Sequence, residues 1–384
     1  MTVRPVLLVL ALTPAALAQD SKPASSPVFA PFQQKAIDYL VGHQDQDGWF
    51  AQEMRGRQIK NLGVTALALS ALLTKPAAAR SDGERKAIDR SVAVLAGAQN
   101  EDGSFGKEYP NYMTCAVVLA LAKADPVKHA PALAKAQKFL LSRQLIEAAG
   151  VQPSDPNYGG FGYGGKERAD LSNTQMATEA LAATGLAKDA EAWQKALRFL
   201  TRVQNHRASN DFVTETKGEN GTVKLVAGDD GGAFYYPGNS TAGYDTLPDG
   251  TRVARSYGSM TYALLKAYIL CGLPATDARL VAARQWLERN YSVDENPGAA
   301  ADQGEAGKYQ GLYYYYLTMG RTLSLLGLAR VKDAKGAEHA WREELAAALA
   351  KAQRPDGSWL NQRNGRWWED APVLCTAYAL LALQ

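Results

Sequence analysis

The sequence has little cysteine, little histidine, almost no net charge and no long apolar run inside the chain. Among its 384 residues are three cysteines and four histidines, and 42 lysines and arginines stand against 39 acidic residues. Three cysteines cannot form a full disulfide framework. The balanced charge excludes the strongly basic surface of a nucleic-acid binder. No internal stretch reaches the roughly 18 apolar residues that a transmembrane helix needs, and the composition is that of a globular protein.

The histidines and cysteines form no metal-binding motif. No histidine has a second histidine four residues away or a cysteine close by, and these are the spacings typical of zinc sites. We therefore expect neither a metal nor a cofactor. Cys115, Cys271 and Cys375 each lie in an apolar segment, and we expect them to be buried free thiols.

The first residues differ from the rest of the chain. Arg4 precedes an apolar core at residues 6–12, and Ala16-Leu17-Ala18 has the small-x-small pattern of a cleavage site. Because the apolar core is too short to span a membrane, we interpret residues 1–18 as a signal peptide rather than an anchor. Residues 19–31, rich in Pro, Ser and Ala, then form a linker. The mature chain is expected to be periplasmic or secreted, without a transmembrane segment.

A repeat runs through residues 32–384. Each copy has an amphipathic helix that ends in Gln, a turn with glycine and an aromatic residue, and a helix that is apolar nearly all round. The helix ends of the six copies are Gln44, Gln99, Gln144, Gln204, Tyr291 and Gln353. The fifth copy is degenerate, because Tyr stands where Gln is expected. Internal repeats of this length are typical of stacked or closed helical architectures.

The two helices of each copy differ in pattern. The first has one apolar stripe, as at Ile88, Val92 and Leu95, which indicates a helix with one wet face. The second is apolar on every side, as at residues 64–69, which indicates burial on most sides. Six such pairs predict an all-α fold, a single (α/α)6 barrel in which outer helices surround inner ones.

The turns predict a structural role for their Gln and aromatic residues. Glycine lets the chain leave the outer helix sharply, the Gln amide can bond orphan backbone groups there, and the aromatic ring can cover the junction. We expect these residues to act as staples rather than as ligand contacts. They are Gln44, Gln99, Gln353, Trp49 and Trp359.

The last turn, Gln353-Arg354-Pro355-Asp356-Gly357-Ser358-Trp359, resembles the Gln-Trp repeat of squalene and oxidosqualene cyclases. The chain is similar to one α/α toroid of the terpenoid cyclase and protein prenyltransferase superfamily. It also resembles exported bacterial prenyltransferase/squalene oxidase repeat proteins, through residues 257–262, 294–298 and 310–316. The resemblance implies a central aromatic cavity that binds or transforms an isoprenoid-type apolar ligand.

The catalytic motifs of the characterised relatives are missing. Asp229-Asp230 has Ala227 where an Asp-x-Asp-Asp motif needs its first Asp, and Gly231 to Ala233 follow it, so no Asp-Asp-x-x-Asp forms. Neither Asp-x-Cys nor Cys-Gly-Glu-Gln occurs. The resemblance therefore implies the fold without assigning a reaction. Whether the protein is an enzyme stays open, with a terpenoid cyclase-like reaction expected if it is catalytic.

Candidate acids lie where inner helices begin. Asp170 precedes the third inner helix, and Glu369 and Asp370 precede the last. A carboxyl group kept protonated by an apolar cavity could act as a Brønsted acid. Asp at a helix N-terminus is also a common cap, so both interpretations of Asp170 and Asp370 remain open.

Candidate ligand contacts lie at the same mouth of the barrel, where helix dipoles and unpaired N–H groups converge. Four consecutive tyrosines at 313–316 span nearly the whole circumference of a helix, so at least one should face the cavity. Packing between the helix layers is the alternative. We select three tyrosines for the ligand and two arginines for an anionic end of it: Tyr257, Tyr313, Tyr315, Arg168 and Arg255.

Three functions remain open at this point. The protein could be an isoprenoid-binding or cyclase-like protein, a carbohydrate-active lyase or hydrolase, or a binding protein without catalysis. Its partner is accordingly a small apolar or amphipathic ligand, or a glycan. The long loop at 205–255, rich in Gly and Asp, is interpreted as a lid or binding loop.

Overall fold

The computed structural model describes residues 29–54, 57–164, 168–218, 221–299 and 304–384. The signal peptide and nearly all of the linker lie outside these described residues. Among the described residues, no helix combines the length and the apolar character needed to span a membrane.

Twelve α-helices make up the described fold. In chain order they are α1 (Pro31–Gly42), α2 (Leu62–Leu72), α3 (Asp82–Gly97), α4 (Pro110–Ala124), α5 (Ala130–Ser142), α6 (Leu171–Ala183), α7 (Glu191–Arg202), α8 (Gly258–Leu270), α9 (Ala278–Arg289), α10 (Leu312–Leu325), α11 (Trp341–Ala352) and α12 (Pro372–Ala382).

The even-numbered helices form a closed inner ring. Each packs against the next even-numbered helix, and α12 packs back against α2. The odd-numbered helices lie outside this ring. The burial patterns match the sequence patterns: α2 is buried from Gly63 to Leu72, whereas α3 buries little more than the stripe that contains Ile88 and Leu95. The predicted all-α, (α/α)6 toroid is confirmed.

The repeated Gln joins each outer helix to the next one. Nε2 of Gln44 donates to the carbonyl oxygens of Gly48 in its own turn and of Ala87 on α3, at 3.3 and 2.7 Å. Gln99, Gln144 and Gln204 make the same pair of bonds. Gln353 donates to the carbonyl oxygen of Phe32 on α1 at 2.8 Å, which closes the outer layer. The staple role predicted for these glutamines is confirmed.

The degenerate copy keeps the connection by another group. The hydroxyl of Tyr291 donates to Oε2 of Glu344 on α11 at 2.9 Å. The bond goes to the next outer helix, as in the other copies, but it ends on a side chain instead of a backbone carbonyl.

Glycine is required in the turns because the next outer helix passes very close. Gly159 has φ +86°, and a Cβ there would lie 1.7 Å from the carbonyl oxygen of Lys195. At Gly357, with φ +87°, the corresponding distance to the Lys35 carbonyl oxygen is 2.5 Å. Both the left-handed backbone and the close approach exclude a side chain.

The aromatic residue of the turn joins the two helix layers. Trp359 is fully buried; its Nε1–H donates to the Leu349 carbonyl on α11 at 2.8 Å, and its backbone N–H donates to Oγ1 of Thr376 on α12 at 3.1 Å. In the first copy the equivalent residue is Phe50, which is fully buried and bonds Thr65. Trp49 is only half-buried, so the staple assigned to Trp49 was placed one residue too early.

The strands are short and lie between helices. β1 (Ala51–Met54) pairs with β2 (Arg57–Lys60). The 205–255 loop holds a four-stranded sheet of order β3-β4-β6-β5, made of β3 (Val213–Gly218), β4 (Gly221–Val226), β5 (Tyr244–Thr246) and β6 (Arg252–Ala254). β7 (Val331–Lys332) pairs with β8 (Glu338–His339). The four-stranded sheet was not predicted, because β3 has valine as its one large apolar residue and β5 and β6 have only three residues each.

Candidate functional site

Three inner helices share one burial pattern, and this pattern shows which of their faces points into the ring. Over residues 111–121 of α4, 171–181 of α6 and 313–323 of α10, every residue is buried except the second and the ninth. These exceptions are Tyr112 and Leu119, Ser172 and Glu179, and Tyr314 and Arg321. Residues seven apart lie two turns apart on one face of a helix. We interpret these residues as the part of each helix that is turned toward the axis of the ring, and we call the inside of the ring, between these faces, the lumen.

Tyrosines surround the part of the lumen near the inner-helix N-termini. The ring of Tyr314 on α10 lies 6.1 Å from that of Tyr378 on α12. Burial raises its pKa well above the ordinary value, and the neighbouring Tyr112, Asp170 and Tyr257 raise it further. These neighbours come from different sides of the ring. We call Tyr112, Tyr163, Tyr235, Tyr257, Tyr314 and Tyr378 the phenol cluster.

Three buried polar atoms near the phenol cluster lack a hydrogen-bond partner among the described residues. They are the hydroxyl of Tyr314, Oδ1 of Asn173 and Oδ1 of Asn111, the residue before Tyr112. Most buried polar atoms in proteins are bonded, and each exception calls for an explanation. A molecule bound in the lumen would supply the missing contacts.

Asp170 is both a helix cap and a member of the lumen wall. Its Oδ1 accepts from the backbone N–H of Asn173 and from the hydroxyl of Ser172, both at 2.9 Å, and its Oδ2 accepts from Nδ2 of Asn173 at 2.8 Å. Burial raises the pKa of Asp170, although these hydrogen bonds act in the opposite direction. The cap prediction for Asp170 is therefore confirmed, and the same carboxyl group lies near the phenols of Tyr163 and Tyr235.

Glu369 is buried at the beginning of α10, although it precedes α12 in the chain. Its Oε1 accepts from the backbone N–H of Tyr314 at 2.8 Å, and its Oε2 accepts from Nδ2 of Asn361 at 2.7 Å. Gly311, the N-cap residue of α10, has no side chain that could cap the helix. The carboxylate of Glu369, which follows Tyr314 by 55 residues in the chain, caps α10 instead. Burial raises the pKa of Glu369 from the ordinary 4.5 to about 7, against these hydrogen bonds.

Asp370 lies outside this arrangement. It is exposed, and its Cβ lies beside Gly365. The N-cap residue of α12 is Ala371, without a side-chain cap. The cap prediction for Asp370 is therefore wrong, because α12 begins one residue later than a cap at this position requires.

The raised pKa of Glu369 predicts that protein stability falls as the pH rises. The folded state binds this proton more tightly than the unfolded state between the ordinary pKa of 4.5 and the folded value of about 7. The stabilisation is complete below pH 4.5, and about 3 kcal/mol is lost as the pH rises through this window. We expect Glu369→Gln to gain stability relative to wild type from pH 4.5 to pH 8 in urea unfolding. Asp370→Asn, at the exposed neighbouring residue, is the control. An equal gain in stability over the same pH range in this control would refute the assignment of the pH dependence to Glu369.

Tyr313 and Tyr315 face neighbouring elements instead of the phenol cluster. Tyr313 packs edge-on against Tyr316 at 5.8 Å, near Cys375. The hydroxyl of Tyr315 donates to the Ser292 carbonyl at 2.7 Å. In the aligned ranges given above, Tyr316 stands where α4 and α6 have Thr114 and Thr174, and its hydroxyl donates to the Val293 carbonyl at 2.8 Å. A ligand role for Tyr313 and Tyr315 stays a prediction without support from this geometry.

The two predicted arginines differ in position. The guanidinium of Arg168 lies 3.8 Å from the ring centroid of Tyr236 and 5.9 Å from that of Tyr235, at the edge of the phenol cluster. Nε of Arg255 bonds Oδ1 of Asp245 at 2.6 Å, which pairs Arg255 within the small sheet. The fold thus brings together Tyr257, Asp170 and Arg168. Arg255 instead pairs with Asp245 on β5.

A second polar group in the lumen was missed by the sequence analysis. On α6, Glu179 bonds Lys266 on α8 at 2.5 Å, Arg321 on α10 at 3.1 Å and Gln175 on its own helix at 3.0 Å. Burial alone would raise the pKa of Glu179, but the two cations lower it to about 2. We call Glu179, Lys266 and Arg321 the ionic cluster. The sequence did contain a signal for this cluster, because each of these charged residues stands in an inner helix that is otherwise largely uncharged.

Metal ligands are not grouped in the described part of the chain: no set of three or more His, Cys, Asp or Glu there could hold a metal ion. Cys115, Cys271 and Cys375 are buried and unpaired, as predicted. Burial raises the pKa of the Cys271 thiol to about 12, which is the environment of an unreactive thiol.

Comparison with known proteins leads to the same fold. The squalene-hopene cyclase C-terminal domain family matches residues 64–218. Over 171 residues the chain is 28% identical to drimenyl diphosphate synthase from Streptomyces showdoensis, a match that covers 44% of this chain and 30% of that enzyme. The chain thus spans less than a third of the length of this curated relative.

Solved structures of terpene cyclases superpose over nearly the whole chain. The type II terpene cyclase MstE from Scytonema, in complex with merosterolic acid A, gives a TM-score of 0.53 at 15% identity, over 92% of this chain and 95% of that one. A protein from Actinoplanes gives 0.51 at 14% identity, over 92% and 97%. The chain therefore has the α/α toroid fold of the type II terpene cyclase MstE. These comparisons do not favour the carbohydrate-active alternative.

Proposed function

We propose that the protein binds an isoprenoid-type apolar ligand in its lumen, among the side chains of the phenol cluster. The single observation that carries this proposal is the buried hydroxyl of Tyr314, which has no hydrogen-bond partner among the described residues and has neighbours from other inner helices or the loops that enter them. Aromatic faces bury much apolar surface and attract positive charge. Such a lining suits an alkene chain, and it also suits a cationic intermediate derived from one.

Known toroids of this shape support the chemical class of the ligand. MstE from Scytonema has been solved with geranylgeranyl dihydroxybenzoate as its substrate, and that structure covers 92% of this chain with a TM-score of 0.52 at 14% identity. Drimenyl diphosphate synthase is a further relative whose name denotes an isoprenoid product. We carry over to this chain only the isoprenoid class.

If the protein turns its ligand over, Asp170 is the group placed to supply a proton. It is buried, its pKa is raised by that burial, and it lies near the phenol of Tyr314. A carboxylic acid in an apolar site can protonate an alkene, and the phenol faces would then stabilise the carbocation. Asp170→Asn keeps an acceptor for the cap but cannot supply this proton, so conversion of a polyprenyl substrate would stop while binding remains.

The binding proposal is tested with two neighbouring tyrosines. Tyr314→Ala removes a ring from the lumen and is expected to weaken geranylgeraniol binding by about 10- to 100-fold, since burying an apolar side-chain surface is worth about 1.5–3 kcal/mol. Tyr315→Phe removes only the bond to Ser292 and should leave the affinity unchanged. Isothermal titration calorimetry measures both. Equal losses in the two variants, or no loss in Tyr314→Ala, would rule the assignment out.

We further infer that the protein is exported. The support is the sequence pattern of residues 1–18, with its basic start, short apolar core and Ala16-Leu17-Ala18 ending. Mass spectrometry of the protein recovered from its native host tests this directly. A mature chain that begins at Gln19 agrees with the proposal, and an intact N-terminus in the cytosolic fraction contradicts it.

A further inference from the structure

The ionic cluster joins three consecutive inner helices. Glu179 lies on α6 and Arg321 on α10, two helices that are separated in the inner ring by α8. Lys266 on α8 completes the cluster between them. Glu179 also raises the pKa of Cys115 on α4, so its carboxylate is within electrostatic range of a fourth inner helix. Since α6 and α10 are bonded past α8, the cluster lies on the inner side of these helices, and its charges are held by three consecutive helices of the ring.

The charges of this cluster do not balance. Lys266 and Arg321 share the single carboxylate of Glu179, which leaves one positive charge without a counter-charge in the cluster. A charge in a low-dielectric interior is costly unless it is paired.

Arg321 has donors left over on the lumen side. Among the described residues only its Nη1 is hydrogen-bonded, to Glu179. The side chains of Arg321 and Glu179 are each 18% accessible, although both lie within buried helices. The planar guanidinium has five N–H donors suited to the oxygens of a carboxylate or phosphate.

We propose that Arg321 and Lys266 bind the anionic head group of the lumen ligand, a carboxylate or a phosphate, while its apolar chain extends toward Tyr314. Tyr314 and Arg321 lie on one face of α10, seven residues and about 10 Å apart, a distance that a prenyl chain easily spans. This inference rests on the proposed isoprenoid function. It places the head group at the ionic cluster instead of at Arg168 and Arg255.

Three probes with one chain and different heads test the proposal: geranylgeraniol, geranylgeranoic acid and geranylgeranyl diphosphate. Wild type is expected to bind at least one of the two anions tenfold or more tightly than the alcohol, and the better anion identifies the head group. Arg321→Gln should abolish this preference and leave the affinity for the alcohol unchanged. Arg321→Lys, which keeps the charge and is the milder change for folding, should retain part of the preference. Arg284→Gln, on the exposed side of α9, is the matched control and should behave as wild type.

Glu179→Gln gives an expected effect of opposite sign. It removes the carboxylate that competes for the two cations, so affinity for the anionic probes should rise severalfold, whereas a purely structural ion network would give no gain. An unchanged anion preference in Arg321→Gln, together with normal alcohol binding, would overturn this inference and leave the proposed function standing. If wild type binds none of the three probes, the proposed function and this inference both fall.

Discussion

Trp359→Ala is expected to lower the free energy of unfolding by about 3–5 kcal/mol, the range for truncating a large aromatic side chain in a packed core. The ring of Trp359 is fully buried and contacts Phe32 on α1 with ring centroids 6.3 Å apart. Its indole N–H is bonded to α11, and its backbone N–H is bonded to α12. The substitution therefore removes the ring contact with α1 and the indole bond to α11, where the last repeat meets the first, and keeps the backbone bond to α12.

Urea unfolding followed by far-UV circular dichroism measures this loss, and the first repeat offers a matched control. Trp49 is the tryptophan of the corresponding turn but is only half-buried, so Trp49→Ala is expected to cost less than about 1.5 kcal/mol. Phe50→Ala, at the true equivalent of Trp359, should again cost about 3–5 kcal/mol. A Trp49→Ala protein as unstable as Trp359→Ala would contradict the alignment of the turns.

Glu179→Leu is expected to cost about 3–5 kcal/mol at neutral pH, the range for breaking a buried ion pair by removing one partner. The change leaves Lys266 and Arg321 facing each other in the lumen without their shared carboxylate. The reason is the uncompensated positive charge and not the lost volume, since leucine is similar in size.

A surface pair provides the comparison for Glu179. Glu288 pairs with Arg284 along the outer face of α9, where such a pair contributes only about 0.5 kcal/mol. Glu288→Leu should therefore change the urea midpoint little. Equal stability of Glu179→Leu and Glu288→Leu would show that the ionic cluster is as well hydrated as a surface pair.

The fold could be predicted from the sequence because each repeat contains the residues that determine its own turn. A Gln at a helix end, a glycine and an aromatic residue define a turn locally, and six copies leave few ways to close the chain. The threonine that bonds the turn was overlooked, although it recurs as Thr65, Thr114, Thr174, Thr261 and Thr376.

The candidate site was predicted only in part, because a helix rotates by about 100° per residue. Four consecutive tyrosines at 313–316 ensure that one faces the lumen, but the rotation of α10 cannot be read from the sequence, and the residue that faces the lumen is Tyr314. Tyr315 instead bonds the Ser292 carbonyl. The charged residues on inner helices indicate the ionic cluster, but they match no known catalytic motif and were therefore not selected as candidates.

The most direct test of the account is to fill the lumen from a residue that is not part of either polar group. Leu119 is half-buried on the lumen face of α4, two turns from Tyr112, so Leu119→Trp places a large ring in the space assigned to the ligand. Native mass spectrometry with geranylgeraniol should show one bound molecule per chain in wild type and in Val127→Trp, whose position is 84% exposed. The account predicts no bound molecule in Leu119→Trp at the same concentration, with its helical circular dichroism retained. Undiminished binding by the folded Leu119→Trp protein would contradict it.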